Sequence, residues 1–186
     1  MKRATLAVVA LVLLAGCTVN VSIGGQTTDP APAQVRTATV VDVVDGDTLD
    51  VEYANGTEER VRLLGVDTPE VHVEVSPGEF EGVPDTEAGR SCLRKWGERA
   101  SQFATERLAG ETVTVVVGGD RRGSYGRLLA YVTVGANASG ERSFNYALLN
   151  RGYARLYETE FARLDSFTAA ENQAQANGTG LWACAS

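Results

Sequence analysis

Residues 35–67 are the stretch that most narrows what this chain can fold into. Three runs within it alternate apolar and polar residues: VRTATVVDVV (35–44), TLDVEYA (48–54) and EERVRLLGVD (58–67). A period of two marks strands that bury one face. The links contain Asp45-Gly46 and Asn55-Gly56, and such pairs between alternating runs signal tight hairpins. Three strands joined this way form a meander whose apolar face must be covered by the rest of the chain.

The remainder supplies the cover. Residues 71–91, VHVEVSPGEFEGVPDTEAGRS, have Pro, Gly and acids but no period, and read as a long surface excursion. Loops of that length are usually functional or mobile. From Cys92 the spacing turns helical, with Leu93, Trp96, Ala100, Phe103, Ala104 and Leu108 on one side and Gly110 as the stop. Strands follow at 112–119 and 127–135, then a short helix at 143–152 and an amphipathic helix from about Leu164 to Ala176. This pattern predicts an α+β domain, with a five-stranded OB-type β-barrel and three α-helices as the natural architecture.

The first 34 residues do not belong to that domain. Lys2 and Arg3 precede an apolar run from Ala4 to Leu14, which is too short to span a bilayer comfortably. Leu14-Ala15-Gly16-Cys17 resembles a lipobox. The expectation is a signal peptide over 1–16, a lipidated Cys17 opening a flexible tether over 17–34, and a folded domain over 35–186. A lipid on Cys17 would hold the protein at the outer face of the cell membrane, outside the cell. In an exported chain the remaining pair, Cys92 and Cys184, suggests a disulfide. The net charge is −7, and loss of Lys2 and Arg3 with the acid-free leader takes it to −9.

Chemistry enters with the acids. Asp45-Gly46-Asp47-Thr48 carries more carboxylate than a turn needs. Arg62-Leu63-Leu64-Gly65-Val66-Asp67-Thr68-Pro69-Glu70 ends the third strand with two further acids. Carboxylates at neighbouring strand ends can converge on one hard cation, and Ca²⁺ takes oxygen ligands of this kind. A soft metal has no Cys/His cluster to hold it, and the one histidine is His72. Tyr125-Gly126-Arg127 follows Arg121 and Arg122 in the loop before the strand at 127–135. Phosphodiester hydrolysis builds negative charge on the phosphoryl oxygens, and guanidinium forks match it. Arg62 and Arg127 are the candidates for that task, with Arg121 and Arg122 as a substrate-steering pair or a solvated loop.

DGDT, VRLLGVDTPE and YGR, in this order, together with FNYALLNRGYAR and the closing GLW, resemble the staphylococcal nuclease (thermonuclease) family. The resemblance runs from about Val40 to Trp182. It implies an OB-type barrel with three helices and Ca²⁺-dependent hydrolysis of DNA and RNA with little sequence preference. It further implies that Asp47, Asp67 and the backbone carbonyl of Thr68 hold Ca²⁺, and that Glu70 orients or deprotonates the attacking water. Arg62 and Arg127 would bind the phosphate, and Tyr125 would contact the nucleotide. The expected partner is DNA or RNA, and no motif for a protein partner is evident, so a monomer is expected. The excursion at 71–91 and the acids in LYETEFAR depart from the family pattern. The competing expectation is a non-catalytic OB-fold lipoprotein that binds nucleic acid. Retention of the whole acid and arginine set favours the enzyme.

Overall fold

The structure is a computed structural model that describes residues 34–135, 143–157 and 160–185, with backbone alone at 118–121 and 124. The expected leader over 1–16, the tether up to residue 33 and the lipidation site Cys17 lie outside the described residues, as does the side chain of Arg121.

The meander forms as its alternation requires. Strand β1 (Gln34–Val43), β2 (Thr48–Tyr53) and β3 (Glu58–Leu63) pair antiparallel in sequence order. Strand β5 (Thr112–Arg122) pairs with β1 on one side and with β6 (Leu128–Val134) on the other. A parallel pairing of β3 with β6, Val61 opposite Leu128, closes the barrel in the order β1-β2-β3-β6-β5. The inward residues form the main core, among them Val40, Leu49, Val51, Val61, Val115, Ala130 and Val132. This is the expected α+β, OB-type architecture.

Helix α1 (Glu87–Leu108) starts a turn and more before the helical period begins at Cys92. Its first turn is polar and leaves no apolar trace. Thr86 caps it, accepting a hydrogen bond from the Gly89 N–H at 3.2 Å. Helix α2 (Phe144–Asn150) leans on the barrel through Asn145, which is fully buried. Its side chain accepts from the Val132 N–H at 3.0 Å and donates to the Leu64 and Ala130 carbonyls. Those three backbone groups lie near where the parallel β3–β6 pairing ends, and the Ala130 carbonyl also accepts from the Leu64 N–H at 2.9 Å, so one amide fastens α2 to that seam. Helix α3 (Leu164–Ala176) adds Phe167 and Ala170 to the same core.

The expected third strand over 58–67 is broken at Gly65, which takes φ 77°: β3 stops at Leu63, and β4 (Val66–Asp67) pairs instead with β7 (Arg155–Leu156), a piece not legible as a strand, in a two-stranded sheet with Asp67 opposite Arg155. The excursion also has a core of its own. Val75, Phe80 and Val83 pack with Leu93, Ala174, Leu181, Trp182 and Cys184. The structure joins Cys92 to Cys184 by a disulfide at the edge of this second core.

Candidate active site

The backbone brings the two acidic motifs together. The Leu63 N–H donates to the Asp47 carbonyl at 2.8 Å, so Asp47 continues the β2–β3 ladder. The DGDT turn then presses on α1. A Cβ on Gly46 would lie 2.8 Å from the Ala100 Cβ and 2.9 Å from the Thr68 side chain, so only glycine fits there. Gly97 does the same for the second motif. A Cβ on it would fall 2.3 Å from the Pro69 carbonyl oxygen. Helix α1 is thus the plate on which both acidic turns are set.

Asp47 is buried and fully engaged. Its Oδ2 accepts from the Thr68 N–H at 2.7 Å and from the Thr68 hydroxyl at 3.0 Å. Its Oδ1 accepts from the Thr48 hydroxyl at 3.1 Å and pairs with Arg62 Nη1. The other arm of Arg62, Nη2, donates to Asp67 Oδ1 at 2.6 Å. One guanidinium therefore bridges the two carboxylates, which shows that they converge. Asp67 Oδ2 forms an ion pair in turn with Arg155 Nη2 at 2.7 Å. The Asp67–Arg155 register of the small sheet delivers that contact. Arg155 was not among the candidates read from sequence, although it stands in the FNYALLNRGYAR motif.

These groups line a cleft of about 470 Å³ together with Asp45, Glu70, Glu79, Tyr125, Arg127 and Tyr157. Charge inside it is unbalanced. Burial, followed by the charge of Asp47, pushes the Asp45 carboxyl up to about 6. Burial also raises Asp67, where Arg62 and Arg155 pull it back and Asp47 and Glu79 push it further up. Glu70 at the rim is raised by partial burial and then by Asp47 and Asp67. Three arginines, Arg62, Arg127 and Arg155, do not neutralise the five acids Asp45, Asp47, Asp67, Glu70 and Glu79.

Among the described residues, no group of three or more His, Cys, Asp or Glu side chains has the spacing to hold a metal. Asp47 and Asp67 would therefore supply two of a hard cation's ligands, with backbone oxygen, water and substrate for the rest. The residues fit such an ion. The donors are all oxygen, and five carboxylates, Asp45, Asp47, Asp67, Glu70 and Glu79, share the cleft with three arginines.

Arg127 differs from its neighbours. Among the described residues it makes no ion pair, its Nε is buried without a hydrogen-bond partner, and its guanidinium lies 5.7 Å from the Tyr125 ring centre. Tyr125 is 95% exposed and takes φ 66°, a left-handed conformation that is uncommon outside glycine. Arg122 braces this turn rather than facing the cleft. It forks onto Glu59 at 2.6 and 3.0 Å and donates to the Gly126 carbonyl at 2.7 Å.

One prediction follows from Asp45. A raised folded-state pKa means that the carboxyl favours folding at low pH, below its ordinary value of ~3.9, and that this contribution is lost as pH rises through about 6. In chelator, Asp45→Asn should therefore raise the melting temperature at pH 7.5 by a few degrees and change it little at pH 4. Asparagine can still accept the Asp47 N–H that Asp45 Oδ1 takes at 3.1 Å. Thermal unfolding at the two pH values checks this, and an equal gain at both would contradict it.

Comparisons with known proteins agree with the geometry. Residues 60–184 match the family described as Staphylococcal nuclease homologue. An uncharacterized protein of Methanocaldococcus jannaschii is 42% identical over 148 residues, 77% of this chain and 70% of its own length. Endonuclease YncB of Bacillus subtilis is 36% identical over 143 residues, 75% of this chain and 58% of its own. Thermonuclease of Staphylococcus hyicus is 30% identical over 152 residues, 81% of this chain and 78% of its own. Fold, cleft and relatives together define a hydrolase of phosphodiester bonds on an OB-type barrel. The chain belongs to the staphylococcal nuclease homologue family.

Proposed function

We propose that the chain is an extracellular, Ca²⁺-dependent nuclease that acts on DNA, and on RNA, with little sequence preference. In this reading it works as a monomer held at the outer membrane face by a lipid on Cys17. The observation that carries the catalytic part is the Arg127 guanidinium, which has no ion pair among the described residues and shares a cleft with an excess of carboxylate. A cleft of acids alone would repel a phosphodiester. A cation beside those acids and the Arg127 guanidinium fork together give the polyanion somewhere to bind.

Asp47, Asp67 and the Thr68 carbonyl would hold Ca²⁺, which supplies polarisation of a phosphoryl oxygen and a more acidic water. Arg127 binds the non-bridging phosphoryl oxygens and meets the charge that grows on them. Arg62 keeps the two metal-binding carboxylates in register, since it touches both. Glu70, raised in pKa and without a hydrogen-bond partner among the described residues, accepts the proton of the attacking water. Tyr125 offers its exposed ring to the adjoining nucleotide.

The test is cleavage of single-stranded DNA and of RNA by the full chain in Ca²⁺ or in chelator. Glu70→Gln and Arg127→Ala should each lower kcat by ~10²–10³. Neither residue makes an ion pair among the described residues, so neither substitution should lower the urea unfolding midpoint. Wild-type turnover by either variant would refute its role. Binding without cleavage by the wild type would make this a non-catalytic OB-fold binding protein instead.

A further inference from the structure

The excursion carries one side chain into the cleft, and the reaction scheme above does not use it. Glu79 closes the short 3₁₀ turn Pro77–Glu79, whose ends are tied by the Glu79 N–H to Ser76 carbonyl bond at 3.1 Å and the Phe80 N–H to Pro77 carbonyl bond at 2.9 Å. The next residue, Phe80, is buried in the second core. Glu79 itself is half exposed and points the other way, where its Oε2 accepts from Arg155 Nη2 at 3.2 Å. The same nitrogen forms an ion pair with Asp67 Oδ2 at 2.7 Å. The Arg155 guanidinium also lies 5.5 Å from the Phe80 ring centre. The excursion thus gives Arg155 both an aromatic neighbour and a second carboxylate.

We propose that Glu79 is a positioning residue that holds Arg155 against Asp67, so that the excursion sets the orientation of one of the two central carboxylates. Arg155 alone has two partners of the same charge to choose from, Asp67 inside and an incoming phosphate outside. A guanidinium that swung to phosphate would leave Asp67 held only by Arg62. Glu79 removes that freedom because it grips the same Nη2 that Asp67 uses. It is anchored by a turn whose neighbour is locked in a core, so it has little freedom of its own. A small error in the placement of such a group is amplified in rate, since misplacement of ~1 Å can lower turnover ~10²-fold. The role deepens the nuclease reading and rests on it for its kinetic part.

The experiment compares Glu79→Gln, Glu79→Asp, Arg155→Gln and the double variant Glu79→Gln/Arg155→Gln in the full chain. Glu81→Gln is the control, because Glu81 lies on the same excursion but does not line the cleft. Glu79→Gln should lower kcat about tenfold with KM nearly unchanged, Glu79→Asp should recover part of that loss, and Glu81→Gln should match the wild type. The double variant should be no slower than Arg155→Gln alone, because Glu79 acts only through Arg155. A nitrogen-resolved NMR spectrum of the arginine side chains supplies a readout independent of turnover. The Arg155 Nε–H signal should broaden in Glu79→Gln. Wild-type kcat in Glu79→Gln, or losses that multiply in the double variant, overturns the proposal. A wild type that does not cleave overturns the nuclease reading, and the Arg155 signal then decides on its own. An unchanged Arg155 signal refutes the positioning and a broadened one supports it.

Discussion

Arg62→Ala is expected to do more than inactivate the protein. In chelator it should destabilise the fold by roughly 3–5 kcal/mol, the usual penalty for removing one partner of a buried ion pair. The Arg62 side chain is 15% exposed and lies between Asp47 at 6% and Asp67 at 15%. Burial and the charge of Asp47 already raise the Asp45 carboxyl, and Arg62 pulls it back down. Without the guanidinium, the DGDT and VDTPE turns would press carboxylates together with nothing between them. The motif pattern alone suggests a different outcome, a loss of activity on an intact fold, because it places Arg62 out on the substrate phosphate. The structure seals it between two acids instead. Added Ca²⁺ should return part of the lost stability, since a cation held by Asp47 and Asp67 replaces the missing charge. Activity should stay down by ~10²–10³ even then. Arg62→Lys separates the two effects: it keeps the charge and most of the stability, but one ammonium cannot fork onto both carboxylates. Urea unfolding of the three proteins, with chelator and with Ca²⁺, checks this. An Arg62→Ala variant as stable as wild type in chelator would mean that the guanidinium does not hold the two acids together.

The cleft was legible in the sequence wherever it depends on local signals. Asp47 follows an Asp-Gly turn and Asp67 ends an alternating run, and both positions can be read without a structure. Arg127 follows a Tyr-Gly pair at the mouth of a hairpin. Arg155 depends on something else. It reaches Asp67 because β7 pairs with β4, and a strand of two residues such as β7 leaves no periodic trace. The contact also spans most of the domain, so no local rule points to it. Glu79 was hidden for a related reason. An aperiodic, acidic excursion reads as a solvated loop, and the apolar residues that fold it, Val75, Phe80 and Val83, are too far apart to show a period. The same holds for the start of α1, where Thr86 and Glu87 are ordinary capping residues but the apolar stripe has not yet begun. Arg122 is the opposite case. Its loop offered a substrate-steering pair or a solvated one, and Glu59 on β3 pairs with it. Sequence showed which groups could do the chemistry. Which of them are free to do it was decided by partners far along the chain.

Opening the Cys92–Cys184 bridge should be the other large effect, and its reach should be local before it is global. The bridge closes a loop of sequence separation 92, for which the chain-entropy limit gives roughly 4–5 kcal/mol of stabilisation. It ties the first turns of α1 to the C-terminal turn Gly180–Ala185. Between these ends lies the second core, with Val75, Phe80 and Val83 from the excursion on Leu93, Leu181 and Trp182. That core is small and aperiodic, and the barrel does not depend on it for strand pairing. The double variant Cys92→Ser/Cys184→Ser should therefore lose protection in hydrogen exchange first at residues 75–83 and 181–184, while amides of β2, β3 and β6 stay protected. Activity should fall with the excursion, because Arg155 packs on Phe80 and pairs with Glu79. Denaturant unfolding of the variant against the oxidised wild type measures the total loss, and exchange on the same samples locates it. Uniform loss of protection across the barrel would show that the bridge supports the whole fold and not the excursion in particular. An unchanged midpoint would show that the second core holds without its covalent tie.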